Sequence, residues 1–201
     1  QHSSVSSMLK IGITAFQEMA TARLDAEILL AHALRIPRTK LYTESSQIVI
    51  KAEQKKYMEY VEERLQGVPI PYITGSSEFW SLTINVTKDV LIPRPESELL
   101  VEIALELSRP AQETLRVMDL GTGSGAIAAA YAKENPSAMI MALDISASAL
   151  AVAQKNFQKL SLSQINLINS HWLNAICKNS LDIIIANPPY EVLDSKSSSY
   201  E

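Results

Sequence analysis

Residues 115–125, LRVMDLGTGSG, constrain the fold of this chain more than any other stretch. Residues 115–120 form a short apolar run of strand formers that carries Asp119 near its end and breaks at once into Gly121, Gly123 and Gly125. Ile127, Ala128, Tyr131 and Ala132 follow at helical spacing. Strand, glycine turn and helix in this order open a nucleotide-binding α/β unit. Glycines at alternate positions let the backbone turn tightly and approach a ligand with no side chain between them. An ordinary strand-to-helix turn is the plainer alternative, but three spaced glycines behind an acid are more than such a turn needs.

The rest of this half repeats the pattern. Residues 138–143 read as a second strand ending in Asp144. Ser146 is placed to cap a helix running to about residue 160, with Ala149, Val152, Ala153 and Phe157 facing inward. Residues 165–169 and 181–186 read as third and fourth strands, the last with Ile183, Ile184 and Ile185 in a row. Unbroken apolar runs suit parallel strands covered on both faces. Alternating strands and helices imply right-handed crossovers and a doubly wound, mainly parallel sheet, with expected strand order 3-2-1-4. The fourth strand would then be an exposed apolar edge, which native sheets avoid. More strands and a helix are therefore expected after Glu201, and a natural start before Gln1.

A sheet of this kind takes its ligand outside the carboxyl ends of the strands. Those ends carry Asp119, Asp144, His171–Trp172 and the tetrapeptide Asn187, Pro188, Pro189, Tyr190. The glycine pattern alone leaves two cofactors open. Gly121, Gly123 and Ala126 fit the G-x-G-x-x-A dinucleotide fingerprint, while an acid just before the glycines also suits S-adenosylmethionine. Asp144 is placed to accept hydrogen bonds from two ribose hydroxyls, and Trp172 either packs on an adenine ring or is a core aromatic. NPPY decides for S-adenosylmethionine, because its chemistry is methyl transfer to a planar nitrogen. Such a nitrogen has its lone pair delocalised and is a poor nucleophile. The Asn187 side-chain oxygen can accept one N–H and the Pro188 carbonyl the other, directing electron density at the methyl, while Tyr190 covers the planar group. A dry pocket strengthens both bonds.

Residues 3–67 read as a helical bundle. Leu9, Ile13 and Phe16 recur at helical spacing; Thr21 is expected to cap a second helix with Leu24, Ile28, Leu29 and Ala31 inward; Pro37 opens a short one. Residues 51–66 form a longer helix with Tyr57, Tyr60, Val61 and Leu65 on one side, ended by Gly67, Pro69 and Pro71. The bundle carries no visible chemistry, and holding a protein partner is its functional reading. Residues 75–90 suggest a hairpin with Leu82, Ile84 and Val86 alternating. Pro95 then opens a helix with Leu99, Leu100, Ile103 and Leu107 inward and Glu98, Glu102 and Glu106 outward.

Composition excludes several classes. No apolar run approaches the roughly 20 residues needed to span a bilayer, and QHSSVSSM lacks the regions of a signal peptide. A single cysteine, Cys177, permits no internal disulfide and fits the cytoplasm. His2, His32 and His171 are too scattered for a metal cluster. Residues 1–76 hold nine basic and eight acidic side chains, residues 77–201 nine and fourteen. With no dense basic run, direct nucleic-acid binding is not expected.

With these motifs in place, the chain resembles the HemK/PrmC release-factor glutamine methyltransferases from about Arg23 to Tyr190. The resemblance rests on RLDAEILLAHAL, PIPYITGSSEFW, VLIPRPESELLVE, DLGTGSGAIA and NPPY. DLGTGSG and NPPY are widely shared among methyltransferases; the front-end segments PYITG, EFW and IPRPE are more specific. The resemblance implies a Rossmann-like methyltransferase sheet over residues 95–201, a hairpin linker over 77–94 and a helical substrate-recognition domain over 1–76. It implies methylation of the glutamine in the Gly-Gly-Gln loop of class 1 peptide chain release factors. Contact with S-adenosylmethionine falls to Asp119, Gly121, Thr122, Gly123, Ser124, Gly125, Asp144, Trp172 and Asn187. The substrate falls to Asn187, Pro188, Pro189 and Tyr190, with Asn187 and Pro188 catalytic. Three positions depart from the family pattern: His171 stands for the usual Asp, Glu191 for an apolar residue, and Ser97 for the commoner Thr. A nucleic-acid amine methyltransferase would need base flipping and a basic groove, and a non-catalytic cofactor- or partner-binding fragment is the other alternative.

Overall fold

Four parallel strands carry the second half of the chain in the computed structural model, which describes residues 3–108 and 114–187. The chain divides into two units, Gln1–Ser76 and Ser77–Glu201.

The first unit is built on five helices: α1 (Val5–Ala15), α2 (Ala22–Leu34), α3 (Lys40–Thr43), α4 (Lys51–Leu65) and α5 (Ile70–Thr74). It is not purely helical, as the sequence suggests: β1 (Ser3–Ser4) pairs antiparallel with β2 (Ile48–Val49). Two-residue strands are too short to leave an alternation in the sequence. Ser4 Oγ accepts the Ser7 amide and caps α1. Thr21 occupies the N-cap of α2 but makes no side-chain cap bond, so the expected cap is absent. The face of α2 also differs. Leu29 and Ala31 are buried as expected, but Leu24 is exposed, and Ala26 and Leu30 take its place in the core. Two buried acids account for the rotation. Asp25 accepts from Arg64 Nε on α4 at 2.8 Å, and Glu27 accepts from Arg23 Nε at 2.9 Å and from the Tyr42 hydroxyl. Burial pushes the Glu27 carboxyl up, but the bonds from Tyr42 and Arg23 outweigh it and leave its pKa below the ordinary value. Helix α4 keeps its expected extent, with Gly67 at φ +88° just past the end. It buries Tyr57 and Val61 and leaves Leu65 exposed. The prolines that end α4 begin α5, since Pro71 lies in its first turn, where a missing N–H removes no helical bond.

The second unit opens with a hairpin, β3 (Ser76–Phe79) and β4 (Leu82–Asn85). Trp80 and Ser81 join the strands, both at positive φ (53° and 57°), the signature of a two-residue turn matched to strand twist. Phe79, Ile84 and Val86 are buried. A single 3₁₀ turn (Pro95–Ser97) leads into α6 (Glu98–Ser108). Here the inward face is not the expected one. Val101 and Ala104 are buried, whereas Leu99, Ile103 and Leu107 are exposed. Apolar residues cover all of α6 except the Glu98, Glu102 and Glu106 stripe, so periodicity alone does not select which part of that wide arc is buried.

Strands β5 (Arg116–Leu120), β6 (Met139–Asp144), β7 (Ile165–Asn169) and β8 (Ile183–Ala186) follow, with α7 (Ala126–Glu134) and α8 (Ala147–Lys159) as crossovers. The sheet runs β7-β6-β5-β8, all parallel, which is the expected order 3-2-1-4. Helix α7 is apolar all round, and every residue from 126 to 132 is buried, as a helix covered on all sides requires. Met118, Leu120 and Leu143 form one core cluster on the sheet. Arg116 ties the start of β5 to that of β8: its Nε and Nη2 meet the two oxygens of Asp182 at 3.0 and 2.9 Å. The guanidinium beside it lowers the Asp182 pKa to about 2.

Gly12 gives a test of this packing. An exposed helical Gly→Ala change stabilises by about 0.5–1 kcal/mol. A Cβ at Gly12, however, would lie 1.8 Å from the hydroxyl of the fully buried Tyr57 and 3.1 Å from the Ala26 Cβ. Gly12→Ala should therefore destabilise the protein by about 1–3 kcal/mol. Thermal and denaturant unfolding check the sign; a raised melting temperature would contradict this packing.

Candidate active site

Three strand ends and one loop converge outside the carboxyl edge of the sheet, where Leu120–Ser124, Asp144–Ser146, His171, Trp172 and Asn187 line a cavity of about 450 Å³ with Ser97 on its wall. The geometry starts from Asp119. Its carboxyl, 2% exposed, accepts from Thr122 Oγ1 at 2.7 Å and from the Ala128 amide at 3.1 Å. One side chain thus holds the glycine loop and the first turn of α7 together. The sequence reading groups Asp119 with the cofactor contacts, but it sits behind the loop and is not among the residues lining the cavity. Burial raises its pKa to about 6; the Thr122 and Ala128 bonds oppose the shift, and the charge of Asp144 adds to it.

The loop is kept free of side chains for two different reasons. Gly125, at φ +80°, lies under α8, and a Cβ there would meet the Phe157 ring at 2.6 Å. Gly121 and Gly123 are also at positive φ, yet a Cβ on either would meet nothing within 4 Å. They face the cavity, and space left open beside a turning backbone suits close approach by a ligand.

Asp144 lies at the end of β6, directly beside the glycine loop. Its Oδ2 accepts from the Gly123 amide and its Oδ1 from the Ser146 amide, both at 2.9 Å. An ionised carboxylate offers about four acceptor positions, so both oxygens keep capacity to accept from a diol. The carboxyl therefore joins the glycine loop to the start of α8, where Ser146 Oγ accepts the Ala149 amide as expected. Trp172 is 56% exposed at the cavity rim with φ +49°, so it is not a core aromatic. His171, also exposed, precedes it in the lining. Asn187 follows β8, lines the cavity, and donates from Nδ2 to Ser97 Oγ at 2.8 Å. Pro188, Pro189, Tyr190 and Glu191 lie outside the described residues.

Two supporting residues are absent from the sequence reading. Asn156 on α8 is fully buried; its Oδ1 accepts from the Asn85 amide, and its Nδ2 donates to the carbonyls of Asn85 and Ser124. It fastens the glycine loop to β4. The signal was present, since an asparagine on the inward stripe of a helix, beside Val152 and Ala153, asks for a buried partner. Asn169 is the second: its Nδ2 donates to the carbonyls of Asp144 and Ile145, holding the chain just beyond β6.

A parallel sheet with an open glycine loop on one strand end and an acid on the next defines the class: a doubly wound α/β protein with its ligand crevice at the carboxyl edge. Comparison with known proteins takes this further. The family described as methyltransferase small domain matches residues 95–199, and the PrmC N-terminal domain matches residues 7–75. The chain belongs to the methyltransferase small domain family. The cofactor of this family is S-adenosylmethionine, which decides between the two that the glycine pattern leaves open. The site fits it: an open glycine cradle, an acid with acceptor capacity, an exposed aromatic and a mainly apolar cavity of adequate size. Among curated relatives, the release factor glutamine methyltransferase of Shewanella oneidensis is 42% identical over 170 residues, 85% of this chain and 59% of that one. That of Coxiella burnetii is 45% identical, covering 85% and 61%. That of Escherichia coli is 38% identical over 182 residues, covering 90% and 65%. The chain spans about three fifths of the length of the curated relatives it matches.

Asp119 predicts a pH dependence. Burial favours its protonated form, so its stabilising contribution is complete below about pH 3.8 and is lost as the pH rises through about 6. The loss amounts to roughly 2–3 kcal/mol. Asp119→Asn should remove it, so the stability of the variant relative to the parent should improve by that amount between pH 4 and pH 7. Denaturant unfolding across this range checks it, and a difference independent of pH would contradict the assignment.

Proposed function

We propose that this chain catalyses S-adenosylmethionine-dependent methylation of the side-chain amide of a glutamine, and that the glutamine is that of the Gly-Gly-Gln motif of class 1 peptide chain release factors. The observation that carries the proposal is the position of Asn187, which lines the same cavity as the glycine loop and Asp144. The names of the relatives, over most of this chain's length, support the substrate. When bound, the cofactor supplies a methyl group on a sulfonium: an N–C bond forms, the C–S bond breaks with its electron pair kept by sulfur, and one amide proton leaves to water.

The protein's own part is binding and orientation. In this reading Asp144 accepts from the ribose hydroxyls. Gly121, Thr122, Gly123 and Ser124 would bring backbone close to the cofactor's amino-acid portion, and Trp172 would lie along the adenine. Gly125, expected among these contacts, is outside the cavity lining and would serve by its packing under α8. Asn187 accepts one N–H of the glutamine amide through Oδ1, and the Pro188 carbonyl accepts the other. Pro189 and Tyr190 enclose the planar group. Holding both hydrogens turns the amide face toward the methyl, and both bonds strengthen as positive charge grows on nitrogen. No general base and no covalent intermediate is required. The domain assignment follows: 1–76 recognises the release factor, 77–94 is the hairpin linker, and 95–201 carries the chemistry. The site of action is the cytoplasm, where release factors work, with no nucleic acid, membrane or metal needed.

Two measurements on the full natural chain test this. Asp144→Ala should weaken S-adenosylmethionine binding about tenfold or more, since charge-assisted bonds contribute roughly 1.5–3 kcal/mol each; calorimetry on the folded variant checks it. Asn187→Ala should lower single-turnover transfer of labelled methyl to a release factor by roughly 10²–10³ with a smaller effect on cofactor affinity. Transfer at the parent rate would mean that NPPY is only a turn. Transfer to oligonucleotides and not to release factors would move the enzyme to nucleic-acid amines.

A further inference from the structure

The carboxamide of Asn187 presents a problem that its own strand does not solve. Its oxygen and nitrogen ends have nearly the same shape, and the terminal torsion that exchanges them is soft and roughly two-fold. In one orientation the group offers Oδ1, an acceptor, to an incoming amide N–H; in the other it offers Nδ2, a second donor, which repels that N–H. A residue that works by accepting a hydrogen bond therefore needs its carboxamide held firmly in place.

We infer that Ser97 supplies this hold as a positioning residue that acts through Asn187: a hydroxyl can accept or donate, and here it engages the Nδ2 end. Its hydroxyl is brought from 90 positions earlier in the chain to accept from Asn187 Nδ2 at 2.8 Å. Ser97 is 7% exposed and lines the cavity that Asn187 lines. Its backbone is held independently. Ser97 closes the 3₁₀ turn that Pro95 begins, and its amide donates to the Arg94 carbonyl at 3.0 Å. The hydroxyl therefore sits on a fixed turn. With Nδ2 engaged there, Oδ1 is left as the end free to accept, and none of the described residues bonds to it. The segment IPRPES, to which the sequence reading gives no role in the site, thereby enters it. A threonine would serve equally, since it carries the same hydroxyl.

This inference rests on the role proposed for Asn187, and the test separates the two. Four variants of the full natural chain are compared in single-turnover methyl transfer to a release factor: Ser97→Ala, Ser97→Cys, Ser97→Thr and Asn187→Ala. The cycle is completed by the double variant Ser97→Ala/Asn187→Ala. Cysteine nearly preserves the volume but is a weak acceptor, so it reports on the hydroxyl even if the alanine variant folds poorly. Ser97→Ala and Ser97→Cys should each lower the rate about three- to tenfold, the worth of one neutral hydrogen bond, with cofactor affinity and the Michaelis constant for the release factor unchanged. Ser97→Thr should keep most of the rate. In the Asn187→Ala background, Ser97→Ala should cost nothing further, because its only route to the reaction is gone. The inference is overturned by a parental rate in Ser97→Cys, by an equal loss in both backgrounds, or by a loss that appears in cofactor affinity instead. If Asn187→Ala itself transfers methyl normally, the proposed role of Asn187 falls and this inference falls with it. If only the Ser97 variants are silent, the role of Asn187 stands.

Discussion

The buried carboxyl of Asp119 is the constraint on which the rest of the site depends. A loop of three glycines has little conformational preference of its own and loses much entropy on ordering. Asp119 supplies the missing order from beneath by accepting from Thr122 Oγ1 and from the Ala128 amide. The arrangement works because each bond is made in a dry setting, where a hydrogen bond is strong and an unsatisfied group is costly. The same dryness raises the Asp119 pKa to about 6, so the loop is ordered at an electrostatic cost.

Around that anchor the unit uses short polar side chains as fasteners between elements. Asp144 holds the Gly123 amide with one oxygen and the Ser146 amide with the other, Asn156 bridges the Ser124 carbonyl and Asn85, and Ser97 meets Asn187. Each fastener joins segments distant in sequence, and each ends at or beside the cavity. Reactions that depend on orientation more than on acid–base chemistry need this kind of rigidity, since a small misplacement lowers the rate steeply. In the proposed reaction, position is most of what the protein contributes.

Much of this was legible in the sequence, for physical reasons that differ by element. Strands β5 to β8 announced themselves as short, mostly apolar runs between helical patterns, and their order followed from alternation with helices. Asp144 and Asn187 were legible because strand ends are where such a sheet takes its ligand. The face of α6 was not, because Glu98, Glu102 and Glu106 mark only a narrow polar stripe and the apolar arc beside it, from Leu99 round to Val101, is too wide to show which part is buried. Helix α2 turned differently from its apolar pattern because Asp25 and Glu27 are buried with Arg64, Arg23 and Tyr42, and the Asp25–Arg64 pair, across 39 positions, leaves no local trace. The contact between Ser97 and Asn187, across 90 positions, was invisible for the same reason, although both residues lie in segments already singled out.

The central claim is that the glycine loop, Asp144, Trp172 and Asn187 form one site for the methyl donor. Backbone amide resonances followed during titration with S-adenosylhomocysteine, the demethylated cofactor, test it directly. Saturable shifts should concentrate at Gly121, Gly123, Asp144, Trp172 and Asn187, with the resonances of the first unit near His32 and Tyr60 little changed. Shifts centred on that first unit, or saturable binding that leaves the Gly121 and Asp144 amides unmoved, would contradict it.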